Sequence, residues 1–261
     1  MSVLCTICAR EGSKGVTNKA LRLLNNKPLI AYTIEQALDS KVFDYVVIST
    51  DSVSITNTAK SFGVDKCFTR PKELSTDTAS KILAIRNVLL EAEKFYKKKF
   101  DIIVDLDITS PLRNISDIKN ALKYFIDSDA DNLITGSPSK KNPYFNMVEI
   151  VDGKVQVIKK PDKQIVRRQD APKTYEMNAS IYIWKREVLL TTEDLFRDKT
   201  SLYVMKENQS MDIDSENDLN IVGKVLVSFL LPLNSAPKSM HHHYTNFRIR
   251  LQCFLLGYPV L

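Results

Sequence analysis

The sequence predicts an α/β fold built on a doubly wound, mostly parallel sheet with helices on both faces. Two observations carry this. Short β-rich runs alternate with helical patterns through about residue 136, and the runs are almost continuously apolar, as strands buried on both faces must be. Composition agrees: 261 residues, 44% apolar and 26% charged, with mean hydropathy −0.17, exclude a disordered chain, a collagen-like repeat and a membrane bundle.

The elements follow in order. Residues 2–8 form the first strand, and a helix is expected over 28–39, where Leu29, Ile30, Thr33, Ile34, Ala37 and Leu38 make one stripe at helical spacing and Pro28 fits the first turn. A strand at Tyr45–Ser49, a helix over 52–62, a helix over 78–97, a strand at Asp101–Leu106, a helix over 116–127 and a strand at Asn132–Thr135 continue the alternation. The rhythm then changes. Residues 144–159 and 179–184 read as strands without helices between them, separated by a polar, proline-bearing stretch at 160–174, so an antiparallel excursion over about 138–185 is expected. A strand at 201–205 and a helix from about Ser215 return to the body. Ligands of such sheets bind at the carboxyl ends of the strands.

Cys5 and Cys8 match a C-x-x-C pattern, a redox or half-zinc signature. On a strand, however, residues three apart face opposite sides of the sheet, so the two sulfurs are expected to be core thiols that never meet.

Charge and histidine content restrict the chemistry. The net charge is +6, but Lys238, Arg248 and Arg250 of an acid-free stretch at 229–261 supply half of it, leaving a nearly balanced body over 1–228. That balance argues against a nucleic-acid partner. All three histidines, His241–His243, lie in the same stretch, which continues no periodic pattern and is read as an atypical tail. The body therefore has no imidazole for a nucleophilic triad or a His-based zinc site. No run of about 18 apolar residues suggests a membrane span, and the start, Met1-Ser2-Val3-Leu4, lacks a basic region before its apolar stretch. A cytoplasmic protein without a membrane partner is expected.

Three motifs remain that can carry chemistry. The loop after the first strand, Ala9 to Lys19, has Gly12 and Gly15, Ser13 and the cations Arg10, Lys14 and Lys19. Glycines let backbone N–H groups approach a polyphosphate, and cations offset its charge; the alternative is a turn with solvated lysines. Asp212 and Asp214 stand two apart, so on an extended segment they share a face roughly 6–7 Å apart, an arrangement that suits a hard cation such as Mg²⁺. Their alternative is a pair of surface or cap acids. Asp105 and Asp107 share a face at the end of another strand, either as two site acids or as one site acid and one structural acid.

Six ordered motifs then make a resemblance: Ala9-Arg-Glu-Gly-Ser-Lys-Gly15, Asn26-Lys-Pro-Leu-Ile-Ala-Tyr-Thr-Ile34, Ser49-Thr-Asp51, Arg70-Pro-Lys-Glu-Leu-Ser-Thr-Asp-Thr-Ala-Ser80, Thr109-Ser-Pro-Leu-Arg113 and Asp212-Ile-Asp214. Over residues 2–228 the chain resembles the acylneuraminate cytidylyltransferase family, which makes CMP-activated nonulosonic acids. Asn142-Pro-Tyr-Phe-Asn146, Arg167-Arg-Gln-Asp-Ala-Pro172 and Tyr175-Glu-Met-Asn-Ala-Ser180 are most similar to its legionaminate-type bacterial branch.

The resemblance implies a Rossmann-like nucleotidyltransferase fold, a homodimer joined through the excursion, and transfer of CMP from CTP to a nonulosonic acid. It implies that Arg10, Lys14 and Lys19, with Gly12 and Ser13, bind CTP phosphates, and that Arg70 and Ser80 lie at the cytidine. Asp212 and Asp214 would bind Mg²⁺, with Arg10, Lys14 and Asp214 carrying catalysis. Arg168 would meet the sugar carboxylate, and Asn178, Asp107 and Phe145 would line the sugar pocket. Glu11 stands where the family has a small residue, and Ala20 where it commonly has Asn. Asp107 replaces the Gln and Phe145 the Lys of sialate enzymes, which argues for a substrate other than plain sialic acid. The alternatives are a transferase of another sugar acid or nucleotide, or a non-catalytic nucleotide-binding module.

Overall fold

A computed structural model describes residues 1–230 except Lys14, Asp65 and 161–164. Nearly all of the expected tail over 229–261 thus lies outside the described residues. Seven strands form the main sheet: β1 (Val3–Cys8), β4 (Tyr45–Thr50), β5 (Lys66–Thr69), β6 (Ile102–Leu106), β7 (Asn132–Pro138), β10 (Tyr175–Lys185) and β11 (Thr200–Val204). Their order is β11-β7-β10-β6-β1-β4-β5, and every pairing is parallel except those of β10 with β6 and β7. The expected doubly wound, mostly parallel sheet is present.

Helices α1 (Leu29–Ser40), α2 (Val53–Ser61) and α4 (Ile115–Asp127) cover one face, and α3 (Lys81–Tyr96) with α5 (Arg186–Thr191) covers the other. The alternation of strand side chains decides which face each residue feeds. Cys5 and Ile7 pack with Ile30, Ile34 and Phe125 on the first, whereas Leu4 packs with Ile85, Val88 and Trp184 on the second. Cys8 packs against that second cluster, so the two thiols sit on opposite faces as the strand period requires. Burial raises both thiols, Cys8 to about 12, which makes both poor nucleophiles.

Several boundaries differ from expectation. Pro28 stands one residue ahead of α1, at the N-cap position. Helix α3 begins only at Lys81, because a turn closed by the Ala79 N–H donating to the Thr76 carbonyl at 3.3 Å holds 76–80 as a loop. The edge strand β5 was not expected. Strand β10 lies inside the main sheet, and only β8 (Val148–Val151) and β9 (Lys154–Val157) of the excursion form a separate antiparallel hairpin. A small hairpin, β2 (Leu23–Leu24) with β3 (Lys27–Pro28), leads into α1.

Helix α6 (Glu216–Leu230) closes the structure beside the strand ends. Its Leu219 and Val222 join Val16, Leu24, Leu29, Leu112 and Ile213 in a third, small apolar cluster. That cluster anchors the glycine-bearing loop through Val16 and the acidic segment through Ile213, so two distant motifs share one support.

Candidate active site

The loop after β1 starts with the Ala9 N–H donating to the Ser49 carbonyl at 3.0 Å, which continues the β1–β4 ladder past the strand end. The loop then crosses to residues 212–214. Lys19 Nζ donates to the Ile213 carbonyl at 2.7 Å and to Asp214 Oδ1 at 3.0 Å. Gly15 lies so close to Asp214 that a β-carbon there would stand 2.0 Å from its carbonyl oxygen. Gly12, by contrast, has open space around it. Of the expected phosphate-binding group, Arg10, Gly12, Ser13 and Lys19 are thus on one loop at the strand ends, and Lys14 lies outside the described residues. Glu11 faces sideways: its Oε1 accepts from the Ser52 hydroxyl at 3.3 Å, and its N–H donates to Asp51 Oδ1 at 2.9 Å.

Beneath the loop lies a cavity of about 190 Å³ lined by Cys8, Arg10, Arg70, Ser80, Lys81 and Asp107 among others. Arg70 is buried and donates to the Ser49 hydroxyl and carbonyl at 3.2 and 3.0 Å, which fixes its guanidinium in the wall. Ser80 stands at the N-cap position of α3 and makes no capping bond to the helix. Arg10 pairs with Asp77 Oδ1 at 2.8 Å across the cavity rim. Arg70, Ser80 and the loop arginine therefore share one space.

The end of β6 supplies the acids. Asp105 is fully buried and accepts from the Thr6 hydroxyl at 2.8 Å, whereas Asp107 lines the cavity. Of the pair, Asp105 is thus turned into the fold and Asp107 toward the cavity. Lys81, on the first turn of α3, bridges both at 3.1 and 2.5 Å and lies over the Tyr182 ring at 4.7 Å. Burial alone would lower the Lys81 ammonium, but the two carboxylates outweigh it and hold its pKa above the ordinary value. Burial likewise opposes ionisation of Asp107, yet Lys81 and the Thr109 N–H and hydroxyl hold its carboxyl below the usual range.

Asp212 lies within electrostatic reach of Asp107. Its Oδ1 accepts from the Ser110 hydroxyl and its Oδ2 from the Ala179 N–H at 3.4 Å. Burial, with Asp107 and Asp214 adding negative potential, raises its pKa. The Ala179 N–H is available because the β7–β10 register shifts between Asn178 and Ile183, and the Thr135 side chain replaces the lost ladder bonds by accepting from the Ile181 N–H at 3.0 Å. A bulge beside a site re-aims backbone groups in this way.

Three expected sugar-side residues are placed elsewhere. Asn178 is buried and occupied: it accepts from the Thr135 hydroxyl at 2.6 Å and donates to the Ser210 hydroxyl, so it braces β7 and the 205–212 segment and does not line this cavity. Phe145 and Arg168 lie on the segment outside the main sheet and do not line the cavity. They share one unit, because Asn142 Nδ2 donates to the Pro172 carbonyl at 2.8 Å and Arg168 donates to the Ser139 carbonyl at 3.1 Å. Sequence reasoning missed Lys81, Tyr182 and Arg113. The buried Arg113 donates to the Ser180 carbonyl at 2.5 Å and to Gln36 Oε1 at 3.0 Å, joining the β6 loop to β10 and α1, and burial lowers its pKa to about 10.

A crevice at parallel strand ends, walled by a glycine-bearing cationic loop and faced by paired carboxylates, defines an α/β protein of the nucleotidyltransferase class. The solved structure of CMP:2-keto-3-deoxy-manno-octonic acid synthetase complexed with CTP shares this fold, with a TM-score of 0.66 at 17% identity over 88% of this chain and 100% of that one. The chain belongs to the cytidylyltransferase family, whose model matches residues 4–236. It is 47% identical over 220 residues to post-translational flagellin modification protein B of Campylobacter coli, covering 84% of this chain and 93% of that protein. It is 46% identical over 237 residues to the CMP-N,N′-diacetyllegionaminic acid synthase of Campylobacter jejuni subsp. jejuni serotype O:2, covering 90% and 98%. The family resemblance read from the motifs holds, and the protein is an enzyme of the cytidylyltransferase kind.

Proposed function

We propose that this cytidylyltransferase transfers CMP from CTP to the anomeric hydroxyl of a nonulosonic acid of the legionaminic or sialic type, releasing pyrophosphate. The observation that carries this reading is the contact of the cationic loop with the acidic segment, through Lys19 on Asp214 and Gly15 against the Asp214 backbone, while Arg10 of the same loop lines the cavity. A relative of nearly the same length that is named for diacetyllegionaminic acid supports the sugar class.

In the reaction the anomeric oxygen bonds to the α-phosphorus as the bond to the β-phosphate oxygen breaks, and the hydroxyl proton is given up. Such a transfer depends on positioning and on neutralising charge. Arg70 and Ser80 hold the cytidine side. Arg10 exchanges Asp77 for phosphate oxygens, and Lys14 and Lys19 add positive charge along the same loop. Arg168 and Phe145 meet the sugar acid.

The donor set suits Mg²⁺. Asp212 and Asp214 offer hard oxygens, Asp212 is raised by burial and, after it, by like-charge neighbours whose repulsion a divalent cation would relieve, and Mg²⁺ needs only one or two carboxylates besides phosphate. Bound there, it supplies neutralisation of the triphosphate charge.

The same reading includes a homodimer. The β8–β9 hairpin exposes Val148, Ile150 and Val155, an apolar face suited to a second copy. A CTP-consuming enzyme works in the cytoplasm, and no helix among the described residues is long and apolar enough to cross a membrane.

Pyrophosphate release tests the reading, with CTP, Mg²⁺ and a panel of nonulosonic acids. Release with a legionaminate- or sialate-type acid is expected. Release only with a different sugar acid or nucleotide would replace the proposal, and none with any pair would overturn it.

A further inference from the structure

Lys81 and Asp107 stand out because their bonding is incomplete on one side only. Asp107 Oδ1 is filled, accepting from the Thr109 N–H at 3.0 Å and the Thr109 hydroxyl at 3.1 Å. Asp107 Oδ2 accepts only from Lys81, at 2.5 Å, and a carboxylate oxygen has two lone pairs. The Lys81 ammonium carries three N–H groups. It hydrogen-bonds Asp107, pairs with Asp105 at 3.1 Å, and keeps at least one N–H without a protein acceptor among the described residues. Both side chains line the 190 Å³ cavity. One acceptor position and one donor position therefore lie side by side at its wall, on atoms about 2.5 Å apart.

The pair is also held still. Lys81 rests on the Tyr182 ring, at 4.7 Å from its centroid, and Asp105 behind it is anchored by Thr6. Exchange of the Lys81 ammonium for water would strand the fully buried Asp105, so the geometry is preorganised.

A neighbouring donor and acceptor match a group that both donates and accepts. A phosphate or carboxylate oxygen would meet Lys81 but be repelled by Asp107, and an amine would suffer the reverse. A hydroxyl satisfies both. We propose that Lys81, together with Asp107, is a substrate-binding pair that grips one hydroxyl of a bound substrate, taking its proton bond at Asp107 Oδ2 and giving one from Lys81 Nζ. This rests on the nonulosonic acid reading for the identity of the second substrate. Two substrates carry hydroxyls near this wall: the ribose of CTP, whose pocket the pair shares with Arg70 and Ser80, and the acceptor sugar, which must come to the same strand ends.

The test uses the full-length protein and two arms. In the first, calorimetry compares CTP with its 2′-deoxy and 3′-deoxy analogues in the wild type, Lys81→Met and Asp107→Asn. In the second, the KM of N-acetylneuraminate or a legionaminate-type acid is measured at saturating CTP in the same proteins. Losing a hydrogen bond to a charged group is expected to cost about ten-fold to one hundred-fold. A ribose contact appears as a deoxy penalty of that size in the wild type that vanishes in both variants. An acceptor contact appears as that rise in acceptor KM with CTP affinity unchanged. A loss spread equally over both substrates, or no loss in either, overturns the proposal. Asp107→Asn keeps Lys81 beside Asp105 and serves where Lys81→Met fails to fold. A wild type that turns over no nonulosonic acid would sink the functional reading instead, and the calorimetric arm would still decide the ribose contact.

Discussion

Gly15 and Asp214, from opposite ends of the chain, are packed backbone to backbone: a β-carbon on Gly15 would lie 2.0 Å from the Asp214 carbonyl oxygen. That is far inside van der Waals contact, and the obstacle is main chain, which cannot swing aside as a side chain can. Gly15→Ala must therefore push the loop off the acidic segment. We expect kcat/KM to fall at least ten-fold, with stability lowered by about 1–3 kcal/mol as for other overpacked sites. Steady-state kinetics with thermal unfolding check this. Gly12→Ala, where space is open, is the control for stability alone and should unfold near the wild-type Tm.

The acids themselves should matter more than their support. Asp214→Ala removes the partner of Lys19, and Asp212→Ala removes the acceptor of Ser110 and the Ala179 N–H. For each, kcat/KM should drop by about 10²–10³, the usual effect of losing a preorganised electrostatic group. Folding should change little, because each substitution also removes like-charge repulsion. Wild-type turnover by the Asp212→Ala/Asp214→Ala double variant would sink the assignment.

A pH-dependent part of the stability is assigned to Glu93 and Arg186. Arg186 donates to both Glu93 oxygens at 2.7 and 2.9 Å, tying the end of α3 to the start of α5, and the Phe100 N–H adds a third bond at 3.1 Å. Burial works against ionisation of Glu93, but these bonds prevail and hold its carboxyl below the ordinary 4.5. A carboxyl lowered in the folded state binds its proton less tightly there than in the unfolded chain. Its contribution is present above pH 4.5 and is lost as the pH falls through its folded value. Glu93→Gln should therefore lower stability at pH 7 by about 1–3 kcal/mol, and the Tm difference from wild type should narrow as the pH is taken below 4.5. A pH-independent difference would mean that shape, and not charge, holds this joint.

What was legible in the sequence is what local period can encode. The apolar runs and stripes give the strands and helices, and the strand period alone separates Cys5 from Cys8. The insertion of β10 between β6 and β7 is a non-local pairing, invisible to any local pattern. Strand β5, only Lys66–Thr69 at the sheet edge, is too short to show a period. Lys81 reads in sequence as an ordinary helix residue, because its meaning comes from Asp105 and Asp107, more than twenty residues away. Asn178 sits in a motif that fits the family, yet its carboxamide is spent inside the fold. Motif matching locates a segment at a site, whereas the hydrogen bonds decide which of its atoms face the ligand.

On the proposed reading, substrate choice follows from Phe145. Its N–H donates to the Asn142 carbonyl at 3.1 Å, and Asn142 is buried and tied to Pro172, so the ring and Arg168 belong to one braced unit apart from the cavity. Sugar recognition through this unit should thus be separable from CTP binding. An aromatic wall favours a deoxygenated C9 methyl, as in a 5,7-diamino legionaminic-type acid, over a hydroxyl-rich chain. Burying a methyl contributes roughly 1 kcal/mol, and stranding a hydroxyl costs about 1–3 kcal/mol. We expect kcat/KM for an N,N′-diacetyllegionaminate-type acid to exceed that for N-acetylneuraminate by about ten-fold or more, since these effects together, about 2–4 kcal/mol, exceed the 1.4 kcal/mol of one decade. Phe145→Lys should narrow that ratio while leaving the KM for CTP unchanged. A side-by-side assay in which N-acetylneuraminate is turned over equally well would reject the preference, and a matching rise in the CTP KM would place Phe145 at the nucleotide instead of the sugar.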